Sequence, residues 1–264
     1  MAGSIVLVGA GNMGFAMLDG WVKASDATFH VVEPDAALRA RAEGVGAIGY
    51  GSAADLPGDL APELVFLAVK PQVMEQVAPD YARYPDATFV SVAAGTTIAS
   101  LRGALGDVAI IRTMPNTPAA IGEGMMVSYA SEDVASDVRD EVDRLLSCSG
   151  ETGWIASEEL MDAVTAVSGS GPAYVFHMIE CLAASAARLG LEDDLARKLA
   201  VQTVAGSGLL ARASADDPGT LRQNVTSPGG TTAAALDVLI GRLGPLMNEA
   251  TEAARDRGVE LGRS

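Results

Sequence analysis

Three glycines near its start constrain this chain more than any other feature. The apolar run Ser4–Val8 stops at Gly9-Ala10-Gly11-Asn12-Met13-Gly14, and a helical pattern takes over from Met13 to about residue 24. G-x-G-x-x-G between a strand and a helix admits one local structure. The first glycine turns too tightly for a side chain, the second leaves the backbone bare, and the third lets the helix lie close to the strand. The N–H groups of the turn and the positive end of the helix then face one point, which suits a pyrophosphate.

Strand and helix patterns keep alternating after this turn. Residues 28–33 read as a strand and 35–43 as a helix, and 64–69, 88–92 and 109–113 repeat the apolar signature of parallel strands buried on both faces. Residues 124–129 and 152–155 are weaker strands. Between them, 133–146 places Val134, Val138, Val142 and Leu145 on one helical face. The pattern predicts an α/β chain whose residues 1–160 form a Rossmann-type, doubly wound parallel sheet that binds a dinucleotide. Residues 161–264 read differently. They hold Ala-rich helical stretches at 173–189, 195–213 and 243–257 and no convincing strand, which predicts a second, all-α domain. Ala183, Ala184, Ser185 and Ala187 permit close helix approach. About a hundred residues of such helix make a thin core alone, so an interface between subunits is expected.

Charge and composition exclude several classes. Thirty-four acidic against 18 basic residues give a net charge of −16, which disfavours nucleic acid and anionic membrane surfaces. No run of about twenty apolar residues suggests a membrane span, and no basic-then-apolar leader opens the chain, so a cytoplasmic location is expected. Cys148 and Cys181 lack CxxC spacing and lie among apolar residues, which predicts buried free thiols in a reducing compartment. No HExxH, CxxC or carboxylate cluster points to a metal. His30 and His177 fall in a predicted strand and a predicted helix and are expected to be structural.

Several residues stand where a dinucleotide would need them. Glu33 ends the second strand, nineteen positions after Gly14, where an acid accepts hydrogen bonds from the adenosine ribose. It would also repel a 2′-phosphate, by about 1–4 kcal/mol at about 4 Å, which favours NADH over NADPH. Arg39 and Arg41 on the next helix are placed to swing toward such a phosphate instead. Ala68-Val69-Lys70-Pro71 leaves the carboxyl end of another strand, with Lys70 either an anion contact or a helix-flanking charge. Arg112-Thr113-Met114-Pro115-Asn116-Thr117-Pro118 leaves a further one, and Asn116 offers a donor and an acceptor to a carboxamide or braces the loop.

Two Gly/Ser loops interrupt the helical half, Ser168-Gly169-Ser170-Gly171-Pro172 and Thr226-Ser227-Pro228-Gly229-Gly230-Thr231-Thr232. Each precedes a helix and is rich in N–H and hydroxyl donors. That composition suits a carboxylate, and it also suits a plainly capped helix start.

Together these segments resemble the pyrroline-5-carboxylate reductase family along nearly the whole chain. The likeness runs through GAGNMG at 9–14, AVKPQ at 68–72, AAGTT at 93–97, MPNTP at 114–118 and GEGM at 122–125. It continues through DAVTAVSGSGPAY at 162–174, QT at 202–203 and VTSPGGTT at 225–232. The resemblance implies a Rossmann-type domain followed by a helical dimerisation domain, in a homodimer or a decamer of dimers. It implies hydride transfer from NADPH or NADH to the C=N carbon of 1-pyrroline-5-carboxylate, giving L-proline. By the same resemblance, Gly9, Ala10, Gly11, Asn12, Met13, Gly14, Ala68, Val69 and Lys70 hold the cofactor, with Asn116 at its nicotinamide end; Glu33 joins them on its position alone. Ser170, Val225, Ser227, Gly229, Gly230 and Thr231 bind substrate, and Thr232 meets the ring nitrogen as proton donor or relay. The acidic Glu33-Pro34-Asp35 departs from the basic or neutral residue that NADPH-using members carry there. A cyclic imine that arrives as an iminium ion needs no strong general acid, only positioning against the nicotinamide.

Two other readings fit less well. Hydroxyacid dehydrogenases of similar plan place a catalytic lysine beside a glycine pair, whereas Lys23, Lys70 and Lys198 all lie away from both Gly/Ser loops. A non-catalytic dinucleotide sensor would keep the glycine turn and need neither loop.

Overall fold

The computed structural model describes residues 3–262. The N-terminal region runs β1 (Ser4–Val8), α1 (Asn12–Ala24), β2 (Thr28–Val32), α2 (Ala36–Gly44), β3 (Ile48–Tyr50), β4 (Leu64–Leu67), α3 (Pro71–Val77), β5 (Thr88–Ser91) and α4 (Ile98–Leu105). It continues with β6 (Ile110–Met114), β7 (Gly124–Ala130), α5 (Ser136–Ser147), β8 (Gly150–Trp154) and α6 (Met161–Val164). The strands form one sheet in the order β3-β2-β1-β4-β5-β6-β7-β8. β1 lies between β2 and β4, so the winding direction reverses there. A ligand cleft opens at such a point, beyond the carboxyl ends of the strands.

Strand alternation explains why the sheet is buried on both faces. Ile5 and Leu7 join Trp21 and Phe66 in one apolar cluster, while Val6 and Val8 join Leu67, Tyr81 and Phe89 in the other. The Trp21 and Phe66 ring centroids are 4.4 Å apart. Asp35 starts α2 by accepting from the N–H groups of Ala37 and Leu38, at 2.8 and 3.0 Å.

β1 to β6 are parallel, as expected, but β7 runs antiparallel to β6, and β8 is parallel to β7. The sheet is therefore mixed at this edge. Residues 115–123 hold one 3-10 turn, Thr117–Ile121, and no crossover helix. A parallel return needs a dozen or more residues. β3, with three residues, was too short to read from the sequence.

The helical region comprises α7 (Gly171–Arg188), α8 (Asp193–Ala213), α9 (Pro218–Asn224) and α10 (Thr231–Leu261). α10 begins twelve residues before the helix expected at 243 and passes through Pro245. The glycines at 241 and 244 and this proline obscured its start in the sequence.

Compactness divides the chain into residues 1–169 with 254–264, and residues 170–253. Strands stop near 155, which is why the sequence pattern drew its line at 160. The segment after that line still packs on the first unit through buried Met161 and Ala166, and the last turns of α10 lie against Gly95 and Asp162 of that unit. In the second unit only Ala196 and Ala200 are buried among the apolar residues, while Phe176, Leu210, Ile240 and Leu246 are each more than half exposed. Cys148 is half-buried and Cys181 exposed, both unpaired, so the expectation of two buried thiols is corrected. Cys181 and His177 lie on α7, whose surface this single chain leaves open. His177 touches Glu180 at 3.2 Å. His30 is buried in β2, its Nδ1 3.0 Å from the Tyr50 hydroxyl, and burial holds its pKa below the ordinary histidine value.

Candidate active site

A cleft of about 500 Å³ opens at the carboxyl ends of β1, β2 and β4. It gathers Gly9, Gly11, Glu33, Ala68, Val69 and Lys70 from the residues singled out in the sequence. Ala10 and Gly14 are buried behind the turn rather than lining the cleft. Asn12 and Met13 open α1.

Each glycine has a distinct physical reason. Gly9 has φ +92°, and a Cβ there would come 2.8 Å from the Ala68 carbonyl oxygen. A Cβ on Gly14 would collide with the Gly9 carbonyl oxygen, so this glycine sets the approach of α1 to the strand end. Around Gly11 a Cβ would meet nothing within 4 Å. Gly11 lines the cleft. Gly11 also caps α1 without any side-chain hydrogen bond, which leaves the first N–H groups of the helix available to an anion.

Glu33 is buried, and both of its carboxylate oxygens are engaged. Oε2 accepts the Ala10 N–H at 2.8 Å and Oε1 accepts the Asp35 N–H at 3.0 Å. A carboxylate has about four lone-pair sites, so this one keeps room for two more donors. Lys70 is the only basic residue lining the cleft among the described residues, and the acids Glu33 and Asp80 line it too. Val69, Val73, Val77 and Tyr81 supply an apolar wall. Their spacing of four along the chain is the signal that sequence reading passed over.

Asn116 does not line this cleft. Its Nδ2 donates to the Ser168 carbonyl oxygen and hydroxyl at 3.2 and 3.3 Å, and its Oδ1 accepts from Met125 N–H at 2.9 Å. Of the two sequence readings for this residue, the side-chain geometry favours bracing.

The expected substrate residues lie in the second unit, next to helix ends. Ser170 precedes α7, which comes after a π-helical turn, Thr165–Gly169. Val225 follows the last residue of α9 and is exposed. The loop then turns through Gly229 at φ +69°, and the Gly230 N–H donates to the Ser227 carbonyl oxygen at 3.0 Å. Thr231 and Thr232 open α10, and the Thr232 hydroxyl takes no partner among the described residues. The arrangement presents N–H groups and hydroxyls at a helix N-terminus, as a carboxylate requires.

Residues 158–261 match the family model for pyrroline-5-carboxylate reductase dimerisation, and residues 4–95 match that for coenzyme F420-dependent NADP oxidoreductases. The pyrroline-5-carboxylate reductase of Pseudomonas aeruginosa is 37% identical over 97% of this chain and 96% of its own length. That of Escherichia coli is 36% identical over 90% of each. The chain belongs to the pyrroline-5-carboxylate reductase family. It is an NAD(P)-dependent oxidoreductase. Among solved structures, the Coxiella burnetii member matches all of both chains with a TM-score of 0.93 at 32% identity. The Plasmodium falciparum member, solved with NADP bound, matches 98% of each chain at 0.83 and 27%. Across the described residues no helix is long and apolar enough to cross a membrane, and no group of three or more His, Cys, Asp or Glu side chains is arranged for a metal.

Proposed function

We propose that residues 1–160 present the dinucleotide and residues 161–264 present the substrate and the dimer face. The reaction itself is that of the family, NAD(P)H-dependent reduction of the C=N bond of 1-pyrroline-5-carboxylate to L-proline, the final step of proline biosynthesis. One observation carries the cofactor half: an open, capless helix N-terminus behind a left-handed Gly9, at the switch point of the sheet. A dinucleotide fits that cradle, and when bound it supplies the hydride.

The chain's own residues then divide the work. N–H groups of the turn and of α1 hold the pyrophosphate, with Ala68, Val69 and Lys70 on the facing strand end and the 69-73-77-81 wall against the base. The two remaining acceptor sites of Glu33 take the ribose hydroxyls. Because Glu33 is pinned by two N–H groups, it cannot turn away from a 2′-phosphate, and this supports a preference for NADH. Asn116 supports the nicotinamide end from behind, through Ser168. Ser170, Val225, Ser227, Gly229, Gly230 and Thr231 bind the substrate around its carboxylate. The Thr232 hydroxyl meets the ring nitrogen and delivers or relays its proton. An imine that arrives as its iminium ion needs no strong acid, and orientation of its carbon toward the cofactor supplies much of the rate.

The exposed apolar faces of α7, α8 and α10 are covered by a second copy, in a homodimer or in a decamer of such dimers. Two unpaired thiols fit a cytoplasmic location. Replacing Thr232 by Ala tests the substrate half. Turnover should fall by about tenfold or more while NADH affinity stays unchanged. Unchanged turnover would remove Thr232 from the mechanism.

A further inference from the structure

Ala10, in the centre of the glycine turn, is gripped from two sides by opposite charges. Glu33 Oε2 accepts its N–H at 2.8 Å. Arg41 Nη2 donates to its carbonyl oxygen at 2.8 Å and to that of Gly11 at 3.3 Å. The Arg41 guanidinium carbon lies 4.0 Å from the centroid of the Phe15 ring on α1, and its buried Nε has no hydrogen-bond partner. An arginine with no structural task would rotate outward to hydrate that nitrogen. This one stays, held by two carbonyls and an aromatic face.

The direction of the grip matters. In a planar trans peptide the C=O and the N–H of the next residue point opposite ways. Drawing the carbonyls of Ala10 and Gly11 toward Arg41 therefore turns the N–H groups of Gly11 and Asn12 away from it, to the side where an anion is to be held. The other basic residue after β2 is committed too. Arg39 Nη1 donates to the carbonyl oxygens of Glu33 and Pro34 at 2.7 and 3.2 Å.

We infer that Arg41 is a positioning residue that aims the N–H groups of the glycine turn at the pyrophosphate, and not a ligand for a 2′-phosphate. The inference rests on the dinucleotide reading of the cleft. It assigns discrimination between the two cofactors to Glu33 and leaves Arg41 indifferent to it.

Binding of NADH and of NADPH to the full-length protein tests this directly, by calorimetry and by KM at saturating substrate. Arg41→Met keeps the apolar stem over Phe15 and removes the grip. It should weaken both cofactors by the same factor, about tenfold to a hundredfold for lost charge-assisted hydrogen bonds. The ratio of the two affinities should not change, nor should kcat at saturating cofactor. Arg41→Lys, which keeps a charge within reach of one carbonyl, should recover part of the loss and guards against a folding failure in the methionine variant. Glu33→Gln should shift the ratio toward NADPH. Weakening of NADPH alone in Arg41→Met would make Arg41 a phosphate ligand and overturn the inference, as would unchanged affinity for both. A wild-type protein that bound neither cofactor would overturn the cleft reading itself, and the inference with it.

Discussion

The side-chain amide of Asn116 and the backbone and hydroxyl of Ser168 are joined by two hydrogen bonds, which tie the loop after β6 to the π-helical turn before Ser170. A single residue thus couples the end of a sheet strand to the segment that leads into α7. π-helical turns recur at functional sites, where an irregular turn re-aims the chain beyond it. Asn116→Asp removes both donors and sets a carboxylate against the Ser168 carbonyl, while still accepting from Met125. Stability should drop by about 1–3 kcal/mol, read as a lower midpoint in urea at unchanged slope. An unaltered midpoint would mean that the strut carries nothing.

Gly11 and Gly14 should respond in opposite ways. A Cβ at Gly11 meets nothing within 4 Å, so Gly11→Val should fold with a near-wild-type melting curve and bind no dinucleotide in a calorimetric titration. Gly14→Ala drives a methyl group into the Gly9 carbonyl oxygen and should cost about 1–3 kcal/mol of stability. Wild-type dinucleotide affinity in Gly11→Val would dismiss the turn as the phosphate site.

Arg112, buried in β6, pairs with Glu158 at 2.6 Å, and the same Glu158 oxygen accepts the N–H of Ile98 at the start of α4 at 2.8 Å. Glu158→Ala leaves a buried guanidinium unpaired and should destabilise by about 2–3 kcal/mol, less than for a fully buried pair because Glu158 keeps contact with water. Replacing both residues by methionine should recover most of that loss, since no charge is then stranded. Chemical denaturation of the two variants checks both expectations, and a double variant weaker than Glu158→Ala would contradict them.

His30 gives the protein an acid-sensitive point. Its folded-state pKa is lowered by burial, so the proton binds the unfolded chain more readily. The stability that the neutral ring contributes is complete above about pH 6.5, the ordinary histidine value, and is lost as pH falls below it. Melting temperature should decline between pH 7.5 and pH 5, and the decline should be shallower in His30→Gln. Equal slopes in both proteins would assign the acid sensitivity elsewhere.

Much of this was legible in the sequence because local rules agreed with the global fold. The run from Ser4 to Gly14 specified strand, turn and helix with no help from distant residues, and the strands of the parallel core announced themselves as apolar runs. The features that escaped depended on contacts far along the chain. The reversal of β7 stems from a short connection rather than from its composition, and the start of α10 was hidden by glycines and a proline that its own length tolerates. Arg41 looked like a free cation because its partners, the carbonyls of Ala10 and Gly11, lie about thirty positions away. Asn116 looked like a ligand for the same reason. Cys181 read as interior from helical periodicity, which reports that a face is apolar and not what covers it.

The most direct test of the account tracks product and cofactor together. Purified protein incubated with 1-pyrroline-5-carboxylate and NADH should form L-proline, with one NADH oxidised for each proline made, and kcat/KM for NADH should exceed that for NADPH. Absence of proline with either cofactor would contradict the account at its centre, and a clear NADPH preference would contradict the role given to Glu33.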